Sequence, residues 1–550
     1  MRANGFAFYY WNQAVTSLST ALVVLVLSTN ASRGAVTQNG DNSANPTAAG
    51  ADPIIGINNL GRLNITGGDS VTSDVVVVGD LVNGIGLVTV TDFNASTAAT
   101  STWTTNSLMV GDAGTGRLEI LNGAIVTVDL TGNPGTGDLV VGNLANSVGT
   151  VIVDGLGTML RTGDDTTIGN VGTATLKIRN EGYVVATNGI AGDLDIFTVG
   201  VFGRVELSGG RLKTDVFANG GMITGSGRLD NGATAISNFA TGHIEVNAGD
   251  RLEVNAIIDN AGAIALKGGE ISFLKSVGNS GASSEVTLRD GATARFSTSG
   301  FGFNSTAGVL ASTAGTNDIY GTVRIQTTAS KISVSGGSTA VFHDPVTNAG
   351  GTIEVFNGST IVYLQGLTTT GSGSALAMTL ADPDSGGGSG AIEVSGDASL
   401  AGDLKVNLGT GFQPSAGDVF PILVAAGSVT GSLNLVGAPI LAGGMQWDLD
   451  VNATNVLLRV VATGDYNGNG VVDAGDYVVW RNSQNQTGAG LAADSNGDGV
   501  VNGTDYSFWR SRIGNVVGAN LGAGGAVPEP AAATMLLLGA ALISSGRRRT

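Results

Sequence analysis

A glycine-centred motif recurs along the first half of the chain, and no other feature of the sequence restricts the accessible folds as strongly. Each copy has an apolar residue before a glycine, a few small residues, a second glycine, and then apolar residues at alternate positions. The leading glycines are spaced by 32, 31, 27 and 31 residues and are Gly79, Gly111, Gly142, Gly169 and Gly200. Repetition at such spacing indicates one supersecondary unit stacked many times.

Within one unit the apolar residues alternate, which is the side-chain period of a β-strand. In "RLEILNGAIVTV", Leu118 and Ile120 share one face, and Val126 and Val128 share one face after the Asn-Gly pair. Asn-Gly alone would favour a hairpin, but a unit that recurs at constant spacing stacks most naturally as coils. We predict an all-β protein, a right-handed parallel β-helix (solenoid) with glycines at tight corners. An array of antiparallel sandwiches is the alternative.

Composition agrees with an ordered β protein and excludes several other classes. Glycine accounts for 88 of the 550 residues without a three-residue period, so the chain is not collagen. Charged residues make up only 13%, which argues against disorder. With a net charge of −18, the chain lacks the basic surface that binding of nucleic acid requires. Without any cysteine, an exported chain must rely on packing or bound metals instead of disulfides.

The repeats also resemble those of a known class. Phrases such as "VGDAGTGRLEILNGA" and "SVGTVIVDGLGTML" are similar to repeats shared by autotransporter passengers and PEP-CTERM proteins, over residues 74–213. Beyond these, up to about residue 370, segments such as "IDNAGAIALKGGEISF" resemble the repeats in composition but lack a strict spacing. We interpret them as degenerate coils of the same solenoid. The predicted array therefore covers residues 53–370.

The composition of the sequence changes after residue 370, where the apolar segments are longer, prolines are more frequent and a tryptophan occurs. Leu404, Val406 and Leu408 alternate along one strand, and a Gly-Phe-Gln-Pro turn comes shortly after. We predict a separate β capping module over residues 371–462, which resembles the segment that often closes such passengers. A cap is physically sensible, because an open solenoid end exposes unpaired strand edges.

The first 35 residues have the pattern of a secretory signal. After Arg2, "LSTALVVLVLSTNASRGA" supplies a short apolar core followed by small residues. A transmembrane helix is the alternative, but its uninterrupted apolar run falls short of the roughly 20 residues that a bilayer needs. Residues 36–52 are predicted to be a linker.

The last 24 residues, 527–550, follow a predicted linker at 516–526 and resemble the PEP-CTERM sorting signal. A Pro-Glu-Pro motif precedes an apolar segment and a basic tail, and the defining residues are Pro528, Glu529, Pro530, Arg547, Arg548 and Arg549. Arginines at this position hold the apolar segment in the membrane from the cytoplasmic side. The resemblance implies recognition by an exosortase-type sorting protease and delivery to the bacterial cell surface, outer envelope or extracellular matrix. A plain C-terminal anchor is the alternative from composition alone.

The sequence contains few candidate catalytic residues. Only two histidines exist, His243 and His343, and neither accompanies a recognisable nucleophile motif. Adjacent Asp164 and Asp165 could in principle serve as the carboxylate pair of a glycosidase. They fall where the repeat places a corner loop, without nearby basic residues to bind uronates. We predict no catalytic residue and interpret these aspartates as structural.

Near the C-terminus, "GDYNGNGVVDAGDYVVWR" and "ADSNGDGVVNGTDYSFWR" repeat an acidic loop. A Ca²⁺ loop of the EF-hand kind takes oxygen ligands from positions 1, 3, 5, 7, 9 and 12, with glycine at position 6. Both copies satisfy every offset, with Gly470 and Gly499 at the turn. The predicted ligands, with carbonyl oxygens at the two valines, are Asp465, Asn467, Asn469, Val471, Asp473 and Asp476, then Asp494, Asn496, Asp498, Val500, Asn502 and Asp505. We therefore predict two Ca²⁺ sites.

Each acidic loop is followed by a short helical segment, "YVVWRNS" or "YSFWRSR". This duplicated loop and helix resembles a type I dockerin, over residues 464–514, within a predicted domain at 463–515. Family resemblance implies a cohesin-like module, or another surface protein, as partner. Positions 10 and 11 of the loops, Ala474-Gly475 and Gly503-Thr504, depart from the hydroxyl pair usual in the family. The repeated aromatic residues form either a core between the helices or a docking face, and they are Tyr477, Trp480, Tyr506 and Trp509.

Together these features predict a secreted, envelope-sorted structural or adhesive β-solenoid with a calcium-stabilised docking module. Two alternatives belong to other functional classes. One is a polysaccharide hydrolase or lyase on the β-helix scaffold, since dockerins commonly accompany such enzymes. The other is a non-catalytic scaffold that binds extracellular polysaccharide.

Overall fold

The computed structural model describes residues 36–43, 52–92, 100–128, 138–187, 195–232, 234–300, 302–381, 388–441, 444–488 and 490–516. Their contacts divide into two compact units. The first takes in the described residues up to Phe412 together with Val419–Pro439 and Leu449–Arg459. The second takes in Gln413–Asp418, Ile440–Asp448 and the described residues from Val460 onward. The predicted signal peptide and sorting signal lie outside the described residues.

The first unit is a parallel β-helix with three faces, and each coil contributes one strand to each face in turn. Face one is formed by β2 Ile54–Ile55, β5 Val75–Val78, β8 Ser107–Val110, β11 Leu139–Val141, β14 Thr166–Ile168, β17 Ile196–Val199, β19 Val216–Asn219, β21 Ile236–Asn238, β24 Ile258–Asn260, β27 Val277–Asn279, β30 Phe303–Ser305, β33 Val323–Ile325, β36 Val346–Asn348, β39 Gly366–Thr369, β42 Asp397–Leu400 and β45 Val429–Gly431.

Face two follows face one in every coil and carries some of the longest strands. Its strands are β3 Leu60–Thr66, β6 Ile85–Thr91, β9 Thr115–Leu121, β12 Val148–Asp154, β15 Thr173–Arg179, β18 Gly203–Thr214, β20 Met222–Asn231, β22 His243–Asn247, β25 Ala263–Lys267, β28 Glu285–Arg289, β31 Gly308–Ala314, β34 Ser330–Val334, β37 Thr352–Val355, β40 Ala375–Leu380, β43 Asp403–Leu408 and β46 Asn434–Leu435.

Face three completes each coil, and β18 and β20 extend across the corner to contribute to it as well. Its other strands are β4 Ser70–Thr72, β7 Thr102–Thr105, β10 Ile125–Val128, β13 Met159–Thr162, β16 Tyr183–Ala186, β23 Arg251–Asn255, β26 Glu270–Phe273, β29 Thr293–Arg295, β32 Thr316–Tyr320, β35 Thr339–Phe342, β38 Thr360–Tyr363, β41 Ala391–Val394 and β44 Val419–Ala425. The remaining elements are β1 Val36–Gly40, β47 Met445–Val451, β48 Asn455–Ala462, α1 Ala474–Ser483 and α2 Gly503–Arg512.

The alternating apolar residues of each unit point into the solenoid, as the period of two predicts. Leu118 and Ile120 on β9 and Val126 and Val128 on β10 are completely buried. Corresponding residues of successive coils stack directly, since β9 pairs in parallel with both β6 and β12. Parallel pairing between coils confirms the predicted β-helix and is incompatible with the antiparallel sandwich alternative.

The leading glycines of the repeat lie at the corner between face one and face two, where successive coils approach closely. Gly111 has a φ of 76°, and a Cβ added there would lie 2.5 Å from the carbonyl oxygen of Val148 in the next coil. No other residue type accepts both the positive φ and this contact without strain. The spacing of these glycines therefore equals the number of residues in each coil.

Further along the solenoid the same corner is formed differently. From Asn219 onward, asparagine occupies the last position of four successive strands of face one, and its side chain is completely buried. Each of the first three amides donates to the next one along the stack. The Nδ2–Oδ1 distances are 2.7 Å from Asn219 to Asn238, 2.7 Å from Asn238 to Asn260 and 2.8 Å from Asn260 to Asn279. This internal asparagine ladder accompanies shorter coils, since Phe217 pairs with Ile236, 19 residues along the chain.

Both ends of the stack are closed by antiparallel strands. β1 pairs with β3 at the first coil, so the segment predicted to be a linker at 36–52 contains a strand instead. β48 pairs with β44 at the other end. Antiparallel strands satisfy backbone groups that a bare solenoid end would leave open.

The parallel ladder continues beyond residue 370. β43 pairs with β40, and β46 pairs with β43 as far as Leu435. The expected module boundary at 371 is therefore not a break in the solenoid, because the longer strands of this segment keep the alternation that stacking requires. Only the strands from Met445 onward follow another arrangement, and of these β48 closes the stack.

Candidate calcium loops and docking module

The two acidic loops of the second unit each lead directly into a helix. α1 begins after Asp473 and α2 after Asn502, and each of these residues accepts a hydrogen bond from the backbone of the first helical turn. The carboxylate at loop position 12, Asp476 or Asp505, accepts a hydrogen bond from the backbone N–H of the cap residue and completes a capping box. Capping boxes satisfy backbone donors that a helix start leaves open, so each loop is also the start signal of its helix.

The first loop curls around its position-1 carboxylate. Asp465 Oδ2 accepts a hydrogen bond of 2.8 Å from Gly470 N, and Asn469 Oδ1 accepts one of 2.9 Å from Val471 N. Asp476 Oδ2 accepts a bond of 2.7 Å from Asp473 N. Gly470 adopts a φ of 88°, which gives the loop the sharp turn that position 6 requires.

The second loop repeats these bonds at the same offsets. Asp494 Oδ2 accepts from Gly499 N at 2.8 Å, and Asp498 Oδ1 accepts from Val500 N at 2.8 Å. Asp505 Oδ2 accepts from the N–H of Asn502, also at 2.8 Å. Two loops from different sequence segments thus reach one backbone geometry, and the shared positions are those predicted from the spacing.

Four of the loop carboxylates are buried, or nearly so, beneath the surface of the module. Asp465 and Asp494 are 4% exposed, and Asp476 and Asp505 are fully buried. Among the described residues, no ion pair joins any of them to a lysine, arginine or histidine. Burial raises the pKa of Asp494, and the nearby Asp505 and Asp498 carboxylates raise it further. Buried anions without a counter-charge are costly.

A divalent cation fits this arrangement. The described residues hold no group of three or more His, Cys, Asp or Glu side chains that could bind a metal by themselves. The loops instead combine carboxylates with the amide oxygens and backbone carbonyls of neighbouring positions, which is the hard-oxygen donor set of Ca²⁺. In the second loop these groups are in mutual contact, since Asn496 Nδ2 lies 2.8 Å from Asp498 Oδ2. A bound Ca²⁺ would supply positive charge and order the loop.

The four repeated aromatic residues form a core between the two helices. Trp480 and Trp509 are 8% and 7% exposed, and Tyr477 and Tyr506 pack against them. The ring centroids of Trp480 and Tyr506 are 4.9 Å apart, and those of Tyr477 and Trp509 are 5.5 Å apart. Of the two roles considered for these residues, their placement favours helix packing over an accessible docking face.

Each helix is also tied to the loop that precedes the other helix. Trp480 Nε1 of α1 donates to the Asn502 carbonyl oxygen at 2.8 Å, and Trp509 Nε1 of α2 donates to the Asp473 carbonyl oxygen at 3.0 Å. The chain after each helix then forms an antiparallel bridge to the other loop, Val471 with Val516 and Thr487 with Val500.

Sequence reasoning missed this exchange. The only signal was the tryptophan that stands at the same place in both copies. The loops are therefore not two independent turns, because each is held in part by the opposite half of the module.

The histidines and the aspartate pair of the solenoid lie in structural surroundings. His343 Nε2 lies 2.7 Å from Asp318 Oδ1, and its ring stacks on Tyr320 with centroids 3.8 Å apart. Asp165 Oδ1 accepts a bond of 3.0 Å from the backbone N–H of Ile196 in the next coil, as a corner residue would. His243 is exposed on β22.

Comparisons with known proteins agree with the two C-terminal predictions. Residues 463–513 match the type I dockerin domain, and residues 526–549 match the PEP-CTERM protein-sorting motif. A solved structure, the Haemophilus influenzae Hap adhesin, aligns at 12% identity and a TM-score of 0.26, covering 72% of this chain and 57% of that one. No curated protein matches the chain.

The chain is therefore an exported, cell-surface protein that carries a type I dockerin domain. Dockerin domains of this type bind calcium and imply a cohesin partner, and the sorting motif implies processing by an exosortase. The sorting-motif residues Pro528–Pro530 and Arg547–Arg549 lie outside the described residues. No helix among the described residues is long and apolar enough to cross a membrane.

Proposed function

We propose that this protein is a structural and adhesive element of the bacterial cell surface, in which the β-solenoid is a rigid stalk or display surface and the dockerin domain attaches it to a partner. The observation that carries the proposal is the duplicated acidic loop, in which four buried carboxylates form no ion pair with a basic residue in the described part of the chain. A solenoid whose coils pair throughout has a continuous backbone ladder, which suits a stalk. Its role is mechanical and adhesive rather than catalytic.

Each acidic loop is proposed to hold one Ca²⁺, so the domain binds two. The first ion takes side-chain oxygens of Asp465, Asn467, Asn469, Asp473 and Asp476 with the carbonyl of Val471. The second takes those of Asp494, Asn496, Asp498, Asn502 and Asp505 with the carbonyl of Val500. The buried position-1 and position-12 carboxylates support this assignment, since their desolvation is offset most directly by a cation.

The proposed docking surface consists of helix positions that remain exposed in both halves. Val478 on α1 is 53% exposed, and Ser507 is the equivalent exposed residue on α2. One turn later both helices expose an arginine, Arg481 and Arg510. Because arginine is enriched where protein interfaces concentrate their binding energy, we expect these two side chains to contact the cohesin.

The calcium proposal is tested by calorimetric titration of Ca²⁺ into the full chain. We expect two equivalents to bind, with Asp465→Ala and Asp494→Ala each removing one. Asp448→Ala, which changes an exposed carboxylate of the same unit, is the matched control and should leave both equivalents. Binding of Ca²⁺ by the double variant, or no binding by the unaltered chain, would contradict the proposal.

Docking is tested separately by surface plasmon resonance against a panel of type I cohesin modules, with Ca²⁺ or with chelator. We expect a Ca²⁺-dependent complex that Arg481→Glu with Arg510→Glu weakens about tenfold or more. Lys405→Glu, an exposed charge reversal on the solenoid, is the control. A complex that is equally strong in chelator would overturn the calcium-dependent docking.

A further inference from the structure

The two acidic loops differ in what lies beside the glycine at position 4. In the first loop this residue is Gly468, and a Cβ added there would have no non-neighbouring residue of the described chain within 4 Å. In the second loop it is Gly497, where an added Cβ would collide with the carbonyl oxygen of Ala416. The two glycines have almost the same backbone, with φ of 73° and 72°. The difference therefore comes from the surroundings of each loop and not from its own conformation.

Ala416 belongs to a tight turn of the second unit, Gln413–Asp418, and is buried. Asp418 Oδ2 accepts a hydrogen bond of 2.8 Å from Ser415 N, and Asp418 N donates to the Ser415 carbonyl oxygen at 3.1 Å. The turn also forms two backbone hydrogen bonds with Val460 of the same unit, both 2.9 Å long. The turn is thus held in one conformation by bonds within the unit.

Hydrogen bonding inside the loops differs at the same place. Gly497 N donates to Asp494 Oδ1, on the position-1 carboxylate, at 2.9 Å. In the first loop the corresponding oxygen, Asp465 Oδ1, accepts instead from Asn469 N at 3.1 Å. The residue that the turn contacts is therefore also bonded directly to a proposed ligand of the second ion.

Other features of the unit do not distinguish the two loops. A Cβ added at Gly444 would lie 2.6 Å from Tyr466 Cδ1, in the first loop, and 2.5 Å from the carbonyl oxygen of Ala492, just before the second. This segment therefore approaches both loops. Charge is equal as well, because each twelve-residue loop contains three aspartates. Contact with the 413–418 turn is the difference that remains.

We propose that the 413–418 turn is a built-in part of the second calcium site, so that Ca²⁺ in the second loop and order in the turn stabilise each other. The proposal rests on the assignment of one Ca²⁺ to each loop. Gly497 lies between two predicted ligands, Asn496 and Asp498, so holding its backbone limits the positions of both before the ion arrives. A preorganised site loses less conformational entropy on binding. The coupling is reciprocal, because the free energy that the turn adds to Ca²⁺ binding equals the free energy that Ca²⁺ adds to the turn.

Two consequences follow for the module. The second site should bind Ca²⁺ more tightly than the first, and should release it last when the Ca²⁺ concentration falls. The turn also precedes residues 463–513, which match the dockerin domain. The structural response to Ca²⁺ should therefore extend upstream of the matched domain.

Hydrogen exchange of the full chain tests the coupling with one loop loaded at a time. Asp465→Ala leaves only the second loop able to bind Ca²⁺, and Asp494→Ala leaves only the first. The amides of Gly417 and Asp418 both donate hydrogen bonds that hold the turn. We expect Ca²⁺ to slow their exchange about tenfold in Asp465→Ala and not measurably in Asp494→Ala. An equal response in both variants, or no response in either, would overturn the proposal.

Gly497→Ala and Gly468→Ala form a matched pair for affinity measurements. Both positions have a positive φ, but only at Gly497 would the new Cβ meet Ala416. Each variant is titrated with Ca²⁺ in the calorimeter, in the full chain that carries the aspartate substitution isolating its own loop. We expect binding about tenfold weaker for Gly497→Ala and a loss of less than about threefold for Gly468→Ala. Similar losses in the two variants would contradict a role of the turn.

A substitution within the turn protects the test against misfolding of the loop. Asp418→Ala removes the side chain that accepts from Ser415 N and leaves the loop sequence intact, so it should weaken Ca²⁺ binding about threefold at the second loop alone. Asp448→Ala, at an exposed carboxylate of the same unit, is the control and should change neither site. If Asp418→Ala and Gly497→Ala both kept full affinity, the turn would have no role, although the two-ion assignment would stand. If the unaltered chain bound no Ca²⁺, the assignment and the coupling would both be wrong.

Discussion

The solenoid and the dockerin domain reach stability by different routes. In the solenoid, dozens of apolar side chains are fully buried and every coil pairs with its neighbours through backbone hydrogen bonds. Among the described residues of the dockerin domain, the hydrophobic core has six buried side chains, and four carboxylates of the domain are buried as well. Small cores supply little stabilisation, and natural small domains often add a metal.

The difference indicates where each region is vulnerable. A solenoid coil depends on shape at its corners, because a neighbouring backbone lies within contact distance of positions such as Gly111. The dockerin loops depend on charge, because a cation stabilises their buried carboxylates, whereas local crowding matters less there. Changes of shape should therefore damage the first region, and changes of ionic conditions the second.

Removal of Ca²⁺ should have the largest effect. A ligand present at a thousand times its dissociation constant stabilises the folded state by about 4 kcal/mol, which is comparable with the whole stability of a small domain. We expect chelator to lower or abolish a dockerin transition in differential scanning calorimetry and to leave the solenoid transition unchanged. A shift of both transitions together would break the comparison.

Gly111→Ala should produce the reverse pattern, a loss of about 3 kcal/mol in the solenoid alone. A left-handed backbone costs an alanine about 1–2 kcal/mol, and the crowded Cβ adds a comparable amount. Gly157→Ala is the control, since Gly157 has a similar φ of 78° but its nearest neighbour would be 3.8 Å from the new Cβ. Similar losses from both variants, measured by chemical denaturation, would show that close approach is unimportant.

Asn238→Ala should destabilise the solenoid by about 2 kcal/mol. The change leaves the Asn219 amide without its acceptor and the Asn260 oxygen without its donor, in a place that water does not reach. Asn64→Ala, an asparagine that faces outward on β3, should cost much less. Equal denaturation midpoints for the two variants would contradict a structural role for the ladder.

Trp480→Phe should lower Ca²⁺ affinity at the second loop more than at the first. An aromatic ring is kept, although a smaller one, and the hydrogen bond to the Asn502 carbonyl is lost, at a cost of about 1 kcal/mol. Trp509→Phe is the mirror variant and should act on the first loop. Calorimetric titration of each variant, combined with Asp465→Ala or Asp494→Ala to isolate one loop, checks this exchange. If each substitution changed Ca²⁺ affinity only at the loop that precedes its own helix, the exchange would be contradicted.

Asp138→Asn should stabilise the solenoid slightly at neutral pH. Burial, with help from Asp164 and Asp165, raises the pKa of Asp138 to about 6, so the folded chain binds a proton that the unfolded chain does not between about pH 6 and 4. Stability therefore rises as the pH falls through this window. The variant should gain up to about 1 kcal/mol at pH 7, because partial exposure screens the effect, and lose this pH dependence. An unchanged pH profile of the denaturation midpoint would contradict it.

Local sequence signals predicted much of this molecule. Alternating apolar residues and regularly spaced glycines predicted the β-helix, because stacking identical units is a local rule repeated along the chain. Ligand spacing around Gly470 and Gly499 predicted both loops, since each loop is contained in twelve consecutive residues.

Features that depend on distant partners escaped prediction. The asparagine ladder joins residues about 20 apart in sequence whose common position appears only once the coils are aligned. The strands β18 and β20 continue across a corner at which the neighbouring coils turn, and Arg211 meets the Tyr183 ring only because the coils stack. Likewise, the bond from Trp509 to the Asp473 carbonyl crosses 36 residues.

Hydrogen exchange of the full chain, with Ca²⁺ and with chelator, tests the central contrast most directly. We expect amides in residues 465–516 to lose protection in chelator, including Gly470 and Gly499, whose N–H groups bond to the position-1 carboxylates. Solenoid amides such as those of β9 and β12 should exchange equally slowly in both conditions. Unchanged protection of 465–516 in chelator, or a parallel loss in the solenoid, would contradict the account.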